Sequence, residues 1–265
     1  MEVYEYNKGG KESILFLHGA NTGAWMWKPN IDLLDDFHCI AVDLPGHGKS
    51  NKLPWTSFDT IAGEIADIIR TRARNGVANL VGLSLGGYIV THLLKSHSEL
   101  VGQAMISGIQ ADRIPKAWLM RIFSYMLAPF LKNERLIKAN LASLNVPEAL
   151  TDEYTRNAKL LSTRAFLRIT NEALAFEAPV EAAQANVPTL FVAGEKEHPM
   201  ILESLSVYER QFIRANSYIV KGLGHGWSIE DPQLFSKTIR NWLNSVSLPS
   251  ELAPIEKPVS ESNSF

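Results

Sequence analysis

Short apolar runs alternate with helical patterns along most of the chain. Nearly every position in these runs is hydrophobic, which is typical of strands covered on both faces in a parallel sheet. Isoleucines at helical spacing from Ile61 to Ile69, and the segment Leu85–Leu94, predict helices between the runs. This alternation favours an α/β fold, a mostly parallel sheet flanked by helices. The predicted strands are Ser13–Leu17, Cys39–Val42, Asn79–Leu83, Ala104–Ile106, Thr189–Ala193 and Tyr218–Val220.

The regular alternation stops between the fourth and fifth predicted strands. Residues 112–185 intervene there, far more than one crossover helix needs. Within this segment Trp118, Ile122, Tyr125 and Met126 recur on one helical face. We therefore predict a helical cap over residues 112–185, inserted into a core built from residues 1–111 and 186–247. The remaining residues 248–265 are rich in Pro, Ser and Glu, a composition typical of a disordered tail.

Composition narrows the possible partners. The chain has 265 residues, with 26 Lys and Arg against 28 Asp and Glu, and 46% of it is hydrophobic. This balance is typical of a soluble globular protein, and its net charge of −2 predicts no long-range attraction to nucleic acid or to an anionic membrane surface. No run approaches the roughly 18 apolar residues of a membrane span. We expect the protein to be a monomer or homodimer and to bind no nucleic acid.

The single cysteine and the N-terminus bear on location. Cys39 lies inside an apolar run and has no second cysteine to pair with, so it is interpreted as a buried strand residue. The first residues are acidic and lack the basic and apolar pattern of a signal peptide. We predict a cytoplasmic protein.

A candidate nucleophile follows the third predicted strand. Residues 82–87 read GLSLGG, which matches the nucleophile elbow G-x-S-x-G between a strand and a helix. Small residues are required there, because the chain turns sharply and projects the serine hydroxyl at the carboxyl edge of the sheet. Ser84 is therefore the predicted nucleophile.

A serine hydroxyl needs a base, and the base needs an orienting acid. His225 lies in the glycine-rich loop GLGHG after the last predicted strand and is the predicted base, with His198 a weaker alternative. The acid is expected in the loop after Thr189–Ala193, where Glu197 stands three residues beyond a glycine. Asp112 is the alternative acid.

Two backbone amides are expected to stabilise negative charge on the substrate oxygen. Leu85 follows the nucleophile, and Ala20 lies in the loop HGAN after the first predicted strand. Asn21 is a candidate side-chain donor there, and His18 is interpreted as a residue that braces this loop. Trp25 and the predicted cap residues Trp118 and Ile122 are candidates for an apolar substrate pocket.

These motifs together resemble the α/β-hydrolase superfamily, in its capped, single-domain, esterase-like branch. The resemblance rests on HGA at 18–20, DLPGHGKS at 43–50, GLSLGG, the glycine-plus-three acid and GLGHG, and it covers the chain to about Val246. It implies about eight mostly parallel strands, a helical cap after the sixth strand, a Ser–acid–His triad and no cofactor. This branch usually has aspartate where this chain has Glu197.

Nucleotide and metal sites find no support in the sequence. The run GHGKS at 46–50 resembles the end of a P-loop, but the glycine expected five residues before Gly48 is Asp43. The histidines are scattered without metal-ligand spacing. We expect no metal.

Three functions are compatible with these residues. The first is a serine hydrolase, esterase-like, that cleaves a small or medium carboxylic ester through an acyl-enzyme. The second is a lyase of the menaquinone-pathway type, which uses the same triad on a carboxylate-bearing substrate and predicts an arginine pair facing Ser84. The third is a non-catalytic receptor for a small ligand. Candidate arginines for the second are Arg113, Arg121, Arg156, Arg164 and Arg168.

Overall fold

The sheet has eight strands in the computed structural model, which describes residues 1–255. In space the strands are ordered β1-β3-β2-β4-β5-β6-β7-β8. Strands β2 to β7 are parallel, whereas β1 and β8 at the two edges run antiparallel to their neighbours. The strands are β1 (Glu2–Tyr6), β2 (Ser13–Leu17), β3 (His38–Asp43), β4 (Ala78–Leu83), β5 (Val101–Ser107), β6 (Thr189–Gly194), β7 (Ala215–Val220) and β8 (Leu252–Pro254).

Helices cover both faces of this sheet. The α-helices are α1 (Lys28–Ile31), α2 (Phe58–Arg72), α3 (Leu85–Ser96), α4 (Ala117–Leu127), α5 (Glu134–Ser143), α6 (Thr151–Leu160), α7 (Thr163–Leu174), α8 (Val180–Gln184), α9 (Pro199–Gln211), α10 (Trp227–Glu230) and α11 (Pro232–Leu243). Within residues 1–255, no helix has both the length and the apolar character needed to cross a bilayer.

Strand β2 shows why the central strands are hydrophobic at every position. Leu15 and Leu17 pack into the core on the side of α2, α3 and α9. Ile14 and Phe16 pack into the core on the other side, with residues of α1 and α11. Alternate side chains of a strand point to opposite faces, so a strand between two helical layers has no exposed face to carry polar residues.

All six predicted strands lie within β2 to β7, and the predicted α/β fold with a mostly parallel sheet is confirmed. Both antiparallel edge strands were missed. Strand β1 reads EVYEY, where glutamates interrupt the apolar pattern because an edge strand is only partly covered. Strand β8 has three residues and lies in a segment whose composition predicted a tail.

Two boundary predictions need correction. The tail predicted over residues 248–265 is wrong for its first part, because Leu252–Pro254 forms β8 against β7 and Leu252 is buried. Residues 256–265 of that prediction lie outside the described residues. The helical insertion follows the fifth strand in chain order, not the sixth, because five strands precede it and three follow it.

The insertion consists of α4 to α8. Helix α4 packs against α7, and α5 contacts α6. Helix α8 instead packs against α3, where Ala182 and Ala183 are buried in the main core. The chain thus returns to the core through α8 before β6 begins.

Candidate active site

Ser84 occupies the turn between β4 and α3. Its backbone has φ +52° and ψ −114°, a conformation that side-chain-bearing residues rarely adopt. Such strain costs on the order of 1–3 kcal/mol and persists only where the surroundings hold it. Here the Ser84 amide donates a 2.8 Å hydrogen bond to the Ser107 carbonyl on β5.

Close packing explains the glycine that follows the turn. A Cβ on Gly86 would lie 2.0 Å from the carbonyl oxygen of Leu17 on β2. The first turn of α3 therefore lies directly against the end of β2, and any side chain at 86 would push the two apart. This approach brings Ser84 beside the loop that follows β2, where a Cβ on Gly19 would lie 3.6 Å from the Ser84 Cβ.

Two loops at the carboxyl edge of the sheet bring His225 and Glu197 together. Nδ1 of His225 lies 2.8 Å from Oε2 of Glu197. Because a carboxylate only accepts hydrogen bonds, Nδ1 carries the proton, and in the neutral ring Nε2 is unprotonated and can accept one. The Glu197 side chain is 2% exposed, and its Oε1 accepts a 3.4 Å hydrogen bond from the Gly194 amide.

Gly108, which follows β5, makes room for this pair. Its φ is +69°, and a Cβ there would lie 2.7 Å from Cε1 of His225. The bare backbone at 108 therefore supports one edge of the imidazole.

Two features of the surroundings of His225 shift its pKa in opposite directions. Burial lowers the pKa of His225, but the hydrogen bond and the negative charge of Glu197 together outweigh burial, so the pKa is raised above its ordinary 6.5. Glu197 thereby stabilises the imidazolium that forms when His225 accepts a proton.

Neither the alternative acid nor the alternative base joins this pair. Asp112 is exposed on the loop after β5. His198 caps the start of α9, where its Nδ1 accepts a 3.3 Å hydrogen bond from the Met200 amide.

A cavity of about 220 Å³ brings the predicted nucleophile and base together. Among residues 1–255 no hydrogen bond joins the Ser84 hydroxyl to His225, although both side chains line this cavity. Ala20 and Asn21 also line it, and Leu85, the first residue of α3, has an amide that the helix cannot pair. The lining is Gly19, Ala20, Asn21, Thr22, Met26, Leu83, Ser84, Asn140, Ser143, Leu144, Tyr154, His225, Gly226 and Ile229.

The predicted apolar pocket residues do not line this cavity. Trp118 and Ile122 on α4 are 58% and 52% exposed. Trp25 packs edge-on against Tyr154, with ring centroids 6.5 Å apart, and lines a neighbouring cleft. The prediction was wrong for Trp118 and Ile122, because an apolar stripe does not reveal which face of an inserted helix meets the core. Trp25 follows the loop after β2 and lines the neighbouring cleft instead of this cavity.

The insertion contributes other residues to the cavity wall. Asn140, Ser143 and Leu144 come from the end of α5, and Tyr154 comes from α6. No motif marks these positions. Tyr154 has only the general signal of an aromatic residue in a polar helix, and it is buried with Ile137 and Ala158.

Two buried histidines brace the loop after β2. Nε2 of His18 accepts a 3.0 Å hydrogen bond from the Leu44 amide, and Nδ1 lies 2.8 Å from the Gly19 carbonyl, to which it donates. His47 has the same arrangement. Its Nε2 accepts a 3.3 Å hydrogen bond from the Asn21 amide, and its Nδ1 donates a 3.1 Å hydrogen bond to the Pro45 carbonyl. Each of the loops after β2 and β3 thus contributes a histidine that accepts a hydrogen bond from a backbone amide of the other loop. His18 has the bracing position that the sequence predicted.

Each of these histidines must be neutral to accept a backbone hydrogen bond. Burial lowers the pKa of His18 to about 4. Burial and the neighbouring His18 lower the pKa of His47 to about 3. The rings pack edge to face, with centroids 5.0 Å apart, so protonation of either would place a positive charge beside the other ring. The charge of Asp43 raises the pKa of His47 but does not outweigh burial.

Asp43 fixes the same two loops at the end of β3. Its Oδ1 accepts a 2.8 Å hydrogen bond from the Ala24 amide. Its Oδ2 accepts one from the Lys49 amide at 2.8 Å and one from the Tyr4 hydroxyl at 3.0 Å. Asp43, the residue that breaks the P-loop pattern, therefore has a structural role.

Comparison with known proteins agrees with this fold. The alpha/beta hydrolase family model matches residues 14–238, well over half of the chain. The chain therefore belongs to the α/β hydrolase family.

Individual relatives have several activities. The chain is 26% identical over 258 residues to the 2-succinyl-6-hydroxy-2,4-cyclohexadiene-1-carboxylate synthase of Serratia proteamaculans, covering 91% of this chain and 97% of that one. It is 26% identical over 262 residues to the 2-hydroxy-6-oxo-6-(2'-aminophenyl)hexa-2,4-dienoic acid hydrolase of Metapseudomonas resinovorans, covering 90% and 87%. The esterase of Exiguobacterium antarcticum superposes with a TM-score of 0.76 at 20% identity, covering 91% and 94%.

The neutral histidine pair predicts acid sensitivity. The folded pKa values of about 4 and 3 lie below the ordinary 6.5, so below pH 6.5 the unfolded chain binds more protons than the folded one. We expect the free energy of unfolding to fall between pH 6.5 and 5, with a slope approaching about 1.4 kcal/mol per pH unit for each histidine. Urea unfolding at a series of pH values measures this slope.

The matched control replaces His97, a surface histidine of α3's C-terminal end, with glutamine. His97→Gln is expected to keep the slope, whereas His18→Gln and His47→Gln each flatten it and lower stability at neutral pH. A wild-type unfolding free energy that stays constant from pH 7 to 5 would contradict the neutral bracing of these loops.

Proposed function

We propose that this protein is a cofactor-independent serine hydrolase that cleaves small or medium carboxylic esters through an acyl-enzyme. The observation that carries the proposal is the 2.8 Å hydrogen bond between His225 and the buried Glu197, at the wall of the cavity that also contains Ser84. A binding protein has no need of an oriented base beside a strained serine, so this arrangement favours an enzyme over a receptor.

Each residue has one step in the proposed reaction. Ser84 Oγ attacks the ester carbonyl while Nε2 of His225 accepts its proton, and Glu197 holds the resulting imidazolium. The amides of Ala20 and Leu85 stabilise the oxyanion, with Asn21 beside them. His225 then returns the proton to the leaving alcohol, and water releases the acid by the same path.

The cavity favours a small, uncharged substrate. Its volume of about 220 Å³ lies below the roughly 300–1,000 Å³ of pockets that hold drug-sized ligands. The Tyr154 hydroxyl has no hydrogen-bond partner among residues 1–255, and burial raises the pKa of Tyr154 to about 12, so it remains a donor at neutral pH. The wall contains no lysine or arginine from the described residues.

This lining favours the esterase proposal over the lyase proposal. The synthase relative supports elimination on a carboxylate-bearing substrate, for which an arginine pair was expected. None of the five candidate arginines lines the cavity. Arg113 pairs with Glu177, Arg156 pairs with Glu153, and Arg168 donates to the Trp55 carbonyl. The esterase proposal is therefore preferred.

We also propose, from the sequence alone, a cytoplasmic location and a monomeric or homodimeric state. Both stay predictions.

Hydrolysis of p-nitrophenyl esters from acetate to decanoate tests the proposal. We expect turnover of the short esters, reduced at least about 10⁴-fold by Ser84→Ala and about 10²- to 10⁴-fold by Glu197→Gln. Near-normal turnover in Glu197→Gln would move the acid to Asp112. A wild type no faster than Ser84→Ala on every ester would contradict the esterase, and elimination assays on carboxylate-bearing substrates would then test the lyase.

The cavity wall predicts which residues set acyl length. Leu144→Ala enlarges the cavity and is expected to shift the preferred ester to a longer chain, visible as a change in relative kcat/KM across the series. Trp118→Ala removes a larger side chain that lies outside the cavity, so the chain-length profile should stay that of the wild type. The opposite pattern would show that α4, not the end of α5, faces the substrate.

A further inference from the structure

Helix α4 and the turn after it expose an unusual apolar surface. Phe123 and Met126 are 64% and 68% exposed, and Ser124 is the one buried residue of the helix. Soluble proteins expose large apolar side chains singly, whereas a contiguous group marks a binding surface. The group, which we call the α4 face, is Trp118, Leu119, Met120, Ile122, Phe123, Tyr125, Met126 and Phe130.

Lysines and arginines are frequent on α4 and in the segments that flank it in sequence. Residues 113–138 contain six lysines and arginines but one acidic residue, Glu134, in a chain whose overall net charge is −2. Arg113 pairs with Glu177. Among residues 1–255 the other five have no carboxylate within ion-pair distance, and all five are exposed; they are Lys116, Arg121, Lys132, Arg135 and Lys138.

Within residues 1–255, the acidic side chains of α7 and the start of α5 are all engaged by other partners. Helix α7, which packs against α4, presents an exposed Arg164, and its Arg168 donates to the Trp55 carbonyl. The carboxylate of Glu172 on α7 accepts hydrogen bonds from Trp55 Nε1 and the Phe58 amide. Glu134 on α5 pairs with Lys159. Cations therefore outnumber carboxylates on α4 and in the segments that flank it in sequence, where Asp112 is exposed just before Arg113.

We propose that the α4 face docks on an anionic lipid surface. An exposed apolar helix flanked by unpaired lysines and arginines has the chemistry of interfacial binding: the apolar side chains enter the headgroup boundary and the cations contact lipid phosphates. The apolar part supplies burial, and the positive charge selects anionic lipids.

Two other occupants fit the α4 face less well. A second copy paired through the same face would bring two groups of unpaired cations together, because a two-fold interface places each patch opposite itself. The C-terminal residues 256–265 contain two large apolar residues, Val259 and Phe265, too few to cover eight exposed apolar side chains.

The α4 face is connected along the chain to the wall of the candidate active site. A turn, Ala128–Phe130, leads from α4 towards α5, and the end of α5 lines the Ser84 cavity through Asn140, Ser143 and Leu144. Docking through α4 would thus act on the part of the insertion that forms the cavity wall. The docking proposal does not depend on which reaction Ser84 performs.

Vesicle flotation with the full-length protein tests the proposal. We expect wild type to float with vesicles of phosphatidylcholine and phosphatidylserine, and much less with phosphatidylcholine alone or at high salt. Phe123→Ser with Met126→Ser is expected to lower the bound fraction at least about tenfold. Lys132→Glu with Arg135→Glu should remove the preference for phosphatidylserine. Circular dichroism melts confirm that each variant is folded.

The matched control is Val180→Ser with Ile213→Ser, which removes two equally exposed apolar side chains that lie outside α4, on α8 and just before β7, and should bind like wild type. Trp118 supplies a second readout: its fluorescence should shift to the blue on binding, and Trp118→Phe should lose that shift while still floating. Absence of flotation with phosphatidylserine, or flotation unchanged in Phe123→Ser/Met126→Ser, would overturn the proposal. A dimer in light scattering that this double variant abolishes would also overturn it, in favour of a second copy.

Discussion

The hydrogen bond between His225 and Glu197 is the interaction on which the candidate site depends. It joins the loops after β6 and β7, so a side chain on each loop is held by the other. Burying a carboxylate is costly unless it is paired, and Glu197 has both the imidazole and the Gly194 amide as partners. Gly108 leaves room for the imidazole, and the sharp turn at Ser84 presents the hydroxyl to the same cavity. Both features can serve the proposed reaction only if Glu197 holds the imidazole in its place.

Three histidines near this site differ in pKa because their neighbours differ. His18 and His47 accept hydrogen bonds from backbone amides in a buried place, and burial lowers their pKa values, so they remain neutral braces. The nearby charge of Asp43 raises the pKa of His47 but does not outweigh burial. His225 has a carboxylate partner, so its pKa is raised and it can hold a proton. The neutral pair keeps the Ala20 loop in place, whereas the carboxylate partner of His225 favours the proton transfer that we propose for it. Rigid support and reactivity thus come from the same residue type in different surroundings.

The sequence predicted what depends on local pattern. Continuous apolar runs marked β2 to β7, and the glycines around Ser84 marked the turn, because both follow from constraints within a few residues. The glutamate was identified from its place after a strand, although only the fold shows its contact with His225. Strand β8, Asn140 and Tyr154 depend on long-range packing of unremarkable segments, so no local pattern marks them. Trp118 and Ile122 were wrong for the same reason: the stripe on α4 is apolar, but it faces away from the core. The near-neutral total charge likewise concealed the local cluster of cations around that helix.

The most direct test of the central interaction is an NMR titration of His225 in wild type and in Glu197→Gln. Glutamine keeps the size of the side chain and removes its charge. If Glu197 holds His225 as described, the pKa of His225 lies above 6.5 in wild type and falls in the variant, since burial then acts without compensation. A wild-type pKa at or below 6.5, or one that is unchanged in Glu197→Gln, would contradict the coupling on which this account rests.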